Sequence, residues 1–246
     1  MRDRSRGSLE IFEEALNILL DSRDPCGEAR LLADAHPEMS AIQYLARAAC
    51  RGSLRRLKEF FDGSKELLAK TCAGYLRELG VESVATLSRS SAVISCIRDC
   101  GAGEVIVAES LPGGEGAETA RILRGEGFSV ILVRDSLLPW MAAKRGALGL
   151  VGADRVTRTH LINKAGTFAL ASAIPTIAVP GLLKLHDGPY ELREVSEDRE
   201  GVRYVECAFD ETPLDRFLRI IFEGLILRHD EVGRAFDALD SLIGSI

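Results

Sequence analysis

The chain has 246 residues, 46% apolar and 28% charged, with a formal net charge of −6. That length buries a sizeable core without disulfide or metal staples, and the acidic balance argues against a non-specific grip on nucleic acid. Cys26, Cys50, Cys72, Cys96, Cys100 and Cys207 are scattered, and Met1 opens no apolar leader. Reduced thiols in a cytoplasmic protein are the expectation. Cys96 and Cys100 stand one helical turn apart without a histidine or further cysteine nearby in sequence, so no metal site is expected.

The first third reads as helices. Leu9, Phe12, Leu16, Leu19 and Leu20 share one face behind Ser8. Asp24-Pro25 is a cap followed by proline at the first helical position. Ser40 and Gln43 have the spacing of a capping box before Tyr44, Leu45 and Ala48. From Ser53 one or two longer helices follow, with a weak spot at Asp62-Gly63 and an end at Gly80.

After Gly80 the period changes. Apolar runs at 84–87, 105–108, 130–133, 148–151 and 176–179 alternate with helix-like segments. Such alternation predicts a mostly parallel, Rossmann-like sheet with helices on both faces. Arg203 to Cys207 is expected as a sixth strand, after a polar surface excursion over 185–202. Two amphipathic helices are expected to close the chain, carrying Leu214, Phe217, Leu218, Ile221, Phe222, Leu225 and Ile226, then Val232, Phe236, Leu239 and Leu242. That much apolar surface predicts self-association. The uncharged run 165–183 is broken by Pro175, Pro180 and Gly181, so it reads as buried core and not as a membrane span. The expected organisation is α/β: a helical domain over 1–80, then a doubly wound domain over 81–246.

In such sheets ligands bind beyond the carboxyl ends of the strands. Those ends carry Ser88, Arg89, Ser90 and Ser91, then Glu109, Asp135, Asp154 and Pro180-Gly181. The amides of Ser90 and Ser91 open a helix and could hold an anion, although plain N-caps look the same. Asn163-Lys164 stands before the next helix, where the lysine could meet a phosphate. Gly113-Gly114-Glu115-Gly116 fits neither a P-loop nor the dinucleotide fingerprint and signals only a flexible turn. That omission weakens a nucleotide-binding oxidoreductase reading. His36, His160, His186 and His229 share no spacing and read as structural or exposed, and Trp140 and Met141 read as core.

Val151-Gly152-Ala153-Asp154-Arg155-Val156 followed by Ile162-Asn163-Lys164-Ala165-Gly166-Thr167 resembles the "VGADRV…NKIGT" signature of the initiation factor 2B alpha/beta/delta family. Methylthioribose-1-phosphate isomerase and ribose-1,5-bisphosphate isomerase belong to the same group. Thr86 to Val93, Glu109 to Ala120, Asp135 to Met141 and Phe209 to Pro213 are similar to further motifs in order. The resemblance covers about residues 60–227 and implies a Rossmann-like domain behind a helical one.

Departures point away from catalysis. In the isomerases a cysteine after Thr-His works with the aspartate of Gly-Ala-Asp, moving hydrogen between neighbouring sugar carbons. Here Asp154 stands at the aspartate position, but Leu87 replaces the histidine and Ser88 the cysteine. A hydroxyl has a far higher pKa than a thiol and needs a dedicated partner to replace it. Leu111 and Ala117 stand where the family has arginines, while Lys184 matches its usual lysine. The resemblance therefore implies a non-catalytic relative with an assembly role and a modified sugar-phosphate-type pocket. The alternative is an aldose–ketose isomerase of a phosphorylated ribose derivative. Expected pocket residues are Arg89, Ser90, Ser91, Glu109, Asp135, Asn163, Lys164 and Lys184, with Asp154 paired to Arg155 or Lys164. No cofactor is expected. A homodimer or higher homo-oligomer, a phosphorylated small molecule and a translation factor are the expected partners; nucleic acid and membrane are not.

Overall fold

A computed structural model of the chain describes residues 8–37, 39–189, 192 and 194–244. Four helices come first: α1 (Ser8–Leu20), α2 (Pro25–Ala35), α3 (Ser40–Arg51) and α4 (Leu54–Glu78). Asp24 caps α2 as its sequence predicts, its Oδ1 accepting from the Gly27 amide at 3.0 Å. The capping box at Ser40 does not form. Gln43 reaches back instead, donating from Nε2 to the carbonyls of Ala33 and His36, so tertiary packing of α3 on the end of α2 claims the side chain. α4 passes through Asp62-Gly63 unbroken.

The alternating region then runs β1 (Ser83–Thr86), α5 (Ser91–Cys100), β2 (Glu104–Ala108), α6 (Glu115–Gly125), β3 (Ser129–Val133), α7 (Leu138–Arg145) and β4 (Leu148–Val151). A small excursion, β5 (Arg155–Val156) and β6 (His160–Lys164), precedes α8 (Thr167–Ala173) and β7 (Thr176–Ala178). β8 (Glu194–Arg199) and β9 (Val202–Cys207) form a hairpin, and β10 (Phe209–Pro213) pairs with β6. β11 (Arg219–Phe222), β12 (Leu225–Leu227) and α9 (Gly233–Gly244) end the described chain.

The central sheet has the order β12-β11-β7-β4-β1-β2-β3, parallel except for β12. Successive residues of a strand feed opposite faces. Ala85 and Ile106 join one core with Phe12, Leu16, Leu45, Leu57 and Phe61, whereas Val84 and Val105 join another with Leu68, Cys72, Leu76 and Ile97. Both cores therefore contain helices from before residue 80.

Several further expectations are corrected. The sixth strand of the sheet is β11, and the segment 203–207 lies in the exposed β8–β9 hairpin. Residues 214–227 form no α-helix: a single 3-10 turn at Leu214–Arg216 leads into β11, and Gly224, at φ 71°, turns β11 into β12. Most of the apolar side chains expected on the closing helices are interior, with Leu214, Phe217, Ile221, Phe222, Val232, Phe236 and Leu239 at most 6% exposed, whereas Leu218 (41%) and Ile226 (39%) are exposed. Trp140 is 55% exposed and not core. Disulfides join Cys26 to Cys50 and Cys72 to Cys96, leaving Cys100 and Cys207 as free thiols. Among the described residues no helix is long and apolar enough to cross a membrane, and no cluster of metal ligands forms.

Candidate functional site

Strand order reverses between β1 and β4: the chain steps outward through β2 and β3, then returns to β1's other side. The carboxyl ends of these two strands flank the crevice where doubly wound sheets bind ligands. Ser88 leaves β1 there and Asp154 leaves β4. Gly152 is pressed against Ser90, where an added Cβ would meet the serine Oγ at 2.6 Å.

Ser88 is held from three sides in a left-handed backbone conformation, φ 66°. Its amide donates to Ser110 Oγ at 2.6 Å, and its carbonyl accepts from Thr119 Oγ1 at 2.9 Å. Its hydroxyl donates to Glu115 Oε1 at 3.1 Å. The same carboxylate oxygen pairs with Lys164 Nζ at 3.0 Å, with both side chains at most 8% exposed. Glu115 Oε2 is buried and accepts no hydrogen bond. Glu115, which the sequence alone reads as part of a flexible turn, is the acceptor that joins Ser88 to Lys164. Its signal was Gly116, where a Cβ would lie 1.8 Å from the Ala108 carbonyl, so only glycine lets α6 start against the end of β2.

Asp154 pairs with Lys184 at 3.8 Å, not with Arg155 or Lys164. Lys184 is 2% exposed, and burial pulls its ammonium down from the usual lysine range while Asp154 opposes the shift. Arg89 is drawn away to Glu10 of α1 at 3.0 Å, and Glu109 to Arg134 at 3.0 Å. Asp135 accepts from the amides of Ser110 (2.7 Å) and Leu111 (3.1 Å), so it holds the loop after β2. Ser90 is the N-cap of α5, accepting from Val93 at 3.4 Å, and Ser91 is exposed on its first turn. Asn163 donates to Thr167 Oγ1 at 2.9 Å. Asp210, opposite Asn163 across the β6–β10 register, accepts from the Gly166 amide at 2.7 Å; burial raises its carboxyl. Ser88, Glu115 and Lys164 thus form one bonded group and Asp154 with Lys184 a second. Of the remaining expected residues, Asp135 holds a loop, Ser90 caps α5, Asn163 bonds Thr167, Arg89 and Glu109 sit in separate ion pairs and Ser91 is exposed.

Arg155 is 1% exposed and faces away from this edge, donating to the carbonyls of His186 and Pro37 and to His186 Nδ1. Gly188 donates to the same Nδ1 at 2.9 Å. An imidazole that accepts twice on one nitrogen cannot carry a proton there. Burial first, then Arg155 and Arg47, push His186 down from 6.5 to about 4. The folded state keeps this histidine neutral, whereas the unfolded chain protonates it below 6.5. Its contribution to stability is full above pH 6.5 and disappears as the pH falls to about 4; the shift corresponds to about 3 kcal/mol before solvent screening of this half-buried ring reduces it. Urea unfolding at pH 7 and pH 4.5 checks this: His186→Gln is expected to lose much of the wild-type difference.

A mostly parallel sheet with helices on both faces and charged side chains at its switch point defines a doubly wound α/β protein. The chain belongs to the initiation factor 2 subunit family, whose model matches residues 47–223. It is 31% identical over 264 aligned positions to a putative translation initiation factor eIF-2B subunit 2-like protein of Pyrococcus horikoshii, covering 92% of this chain and 93% of that one. A ribose 1,5-bisphosphate isomerase of Archaeoglobus fulgidus is 30% identical over 196 positions, covering 69% of this chain and 62% of the isomerase. The crystal structure of the Pyrococcus horikoshii translation initiation factor eIF-2B superposes with a TM-score of 0.77 at 26% identity, covering 92% of this chain and 93% of that one.

Proposed function

We propose that this chain is a non-catalytic member of its family, acting in assembly with a second copy or a translation-initiation partner in the cytoplasm. Residues 1–80 would supply the helical domain of that unit and 81–246 the α/β domain. The carrying observation is the Ser88–Glu115–Lys164 group. The position where the resembling isomerases hold a thiol is a hydroxyl, and the acceptor beside it is already engaged by a buried ammonium. Phosphate would have to compete with Glu115 for Lys164 and with Asp154 for Lys184. The pocket is accordingly a modified sugar-phosphate-type site that takes a phosphorylated small molecule weakly and does not isomerise it.

The rival reading, an isomerase of a phosphorylated ribose derivative, is favoured by Asp154, which stands at the switch point, and by the relative named for that reaction. Loss of one acid/base group typically costs ~10²–10⁴ in rate. Purified protein with ribose 1,5-bisphosphate or methylthioribose 1-phosphate is expected to show no turnover above the buffer blank. Turnover of about one per second, abolished by Asp154→Asn, would install the isomerase instead.

A further inference from the structure

A separate cavity lies where α1, α4 and α5 meet the loops that follow β7 and β11. None of Ser88, Glu115, Asp154, Lys164 and Lys184 lines it. Its volume is about 60 Å³, room for about four water-sized groups. Leu9, Phe61, Leu68 and Leu183 make most of the wall apolar, and Glu223 joins them from the carboxyl end of β11. Gly181, at φ 71°, makes room for that carboxylate, since an added Cβ would lie 3.2 Å from its Oε1. Glu223 Oε2 accepts from the Leu182 amide at 2.8 Å, and Ser64 bonds the same side chain. Burial pushes the carboxyl up from the usual glutamate range. Among the described residues no cation pairs with Glu223. Lys65, on the same wall, is held by Glu13 at 2.6 Å and lies 4.2 Å from the centroid of the Phe61 ring. Neutral donors alone leave an enclosed carboxylate without a countercharge, whereas enclosed charges are normally paired.

We propose that this cavity binds the ammonium group of a small aliphatic amine, with Glu223 as its counter-ion. An ammonium carries only donors, and Glu223, Ser64 and Ser95 offer oxygens on the wall. The apolar side chains take the carbon skeleton, as in small-molecule sites generally. The volume limits the enclosed part of the ligand to the nitrogen and about three carbons. Other occupants fit less well. An anion would face Glu223 while the nearest ammonium is already claimed by Glu13. A neutral apolar molecule would dry the carboxylate and give it no partner, at a cost. A hard metal ion needs more oxygens than one carboxylate and a few hydroxyls supply. The inference uses none of the switch-point groups and does not depend on the assembly reading.

Isothermal titration calorimetry of the full chain with propylammonium chloride, at fixed ionic strength, tests this. Wild type is expected to give saturable one-to-one binding. Tetramethylammonium, which has the charge but no N–H donor, is expected to give none. Glu223→Gln keeps an acceptor for the Leu182 amide and removes the charge, and is expected to weaken binding about tenfold to a hundredfold. Ala92→Leu adds bulk from α5 into the cavity and leaves Glu223 in place, and is expected to abolish binding. The two variants act from separate elements, so either one alone decides the matter if the other fails to fold. No saturable heat with wild type would overturn the site. Equal binding of tetramethylammonium, or undiminished binding in Glu223→Gln, would overturn the ion pair, and undiminished binding in Ala92→Leu would overturn the location.

Discussion

Lys164→Met is expected to cost 3–5 kcal/mol of stability, on the order of 10 °C in Tm. The substitution strands the Glu115 carboxylate, which is 8% exposed, without its only ion-pair partner among the described residues. Removing one member of a buried pair leaves an uncompensated charge in a poorly polarisable site, and the protein must protonate it or admit water. Replacing both residues, Lys164→Met with Glu115→Met, removes the stranded charge and is expected to recover most of the loss. Denaturant unfolding of the two single variants and the double variant forms the required cycle. Additive losses would mean that Lys164 and Glu115 do not act as a pair.

The second large effect lies in the disulfides. Cys26–Cys50 ties α2 to α3, and Cys72–Cys96 fastens α4 to α5, each across a separation of 24 residues. In the chain-entropy account, closing such a loop contributes about 3 kcal/mol by restricting the unfolded chain. Protein isolated without reductant and unfolded in denaturant is expected to show two reactive thiols, Cys100 and Cys207, rising to six after reduction. Reduction is expected to lower stability by about 3 kcal/mol per bridge, with Cys72→Ser reproducing one share. Six reactive thiols before reduction would overturn this pairing.

Five strands of the sheet were legible in the sequence because each is a short, nearly uninterrupted apolar run, which only burial on both faces explains. The segment 214–227 was not legible. Leu214, Phe217, Leu218, Ile221, Phe222 and Leu225 satisfy helical spacing as well as strand spacing, and short apolar runs cannot be separated by period alone. The left-handed turn at Gly224 was the available signal for a hairpin. Within the site, Asp154, Ser88 and Lys164 were readable as residues, since strand ends are marked by where apolar runs stop. Their partners were not readable. Glu115 lies 49 positions before Lys164, and Lys184 lies 30 after Asp154. Such pairings follow from strand order, which local pattern does not encode. Cysteine pairing is not legible for a related reason: the contact of α2 with α3 and of α4 with α5 decides it, and residue spacing does not encode that contact.

Around the crevice, Lys164 faces Glu115, Lys184 faces Asp154, Arg134 faces Glu109 and Arg89 faces Glu10. Four cations and four carboxylates cancel at close range, and the potential they project into solvent is that of short dipoles. The molecule as a whole carries −6. An anionic metabolite approaching this mouth therefore feels no attractive funnel, and the overall field opposes it. Electrostatic steering can raise capture rates by ten- to a thousandfold, and this surface forgoes that gain. Capture of any phosphorylated molecule here would be slow, and added salt would quicken it.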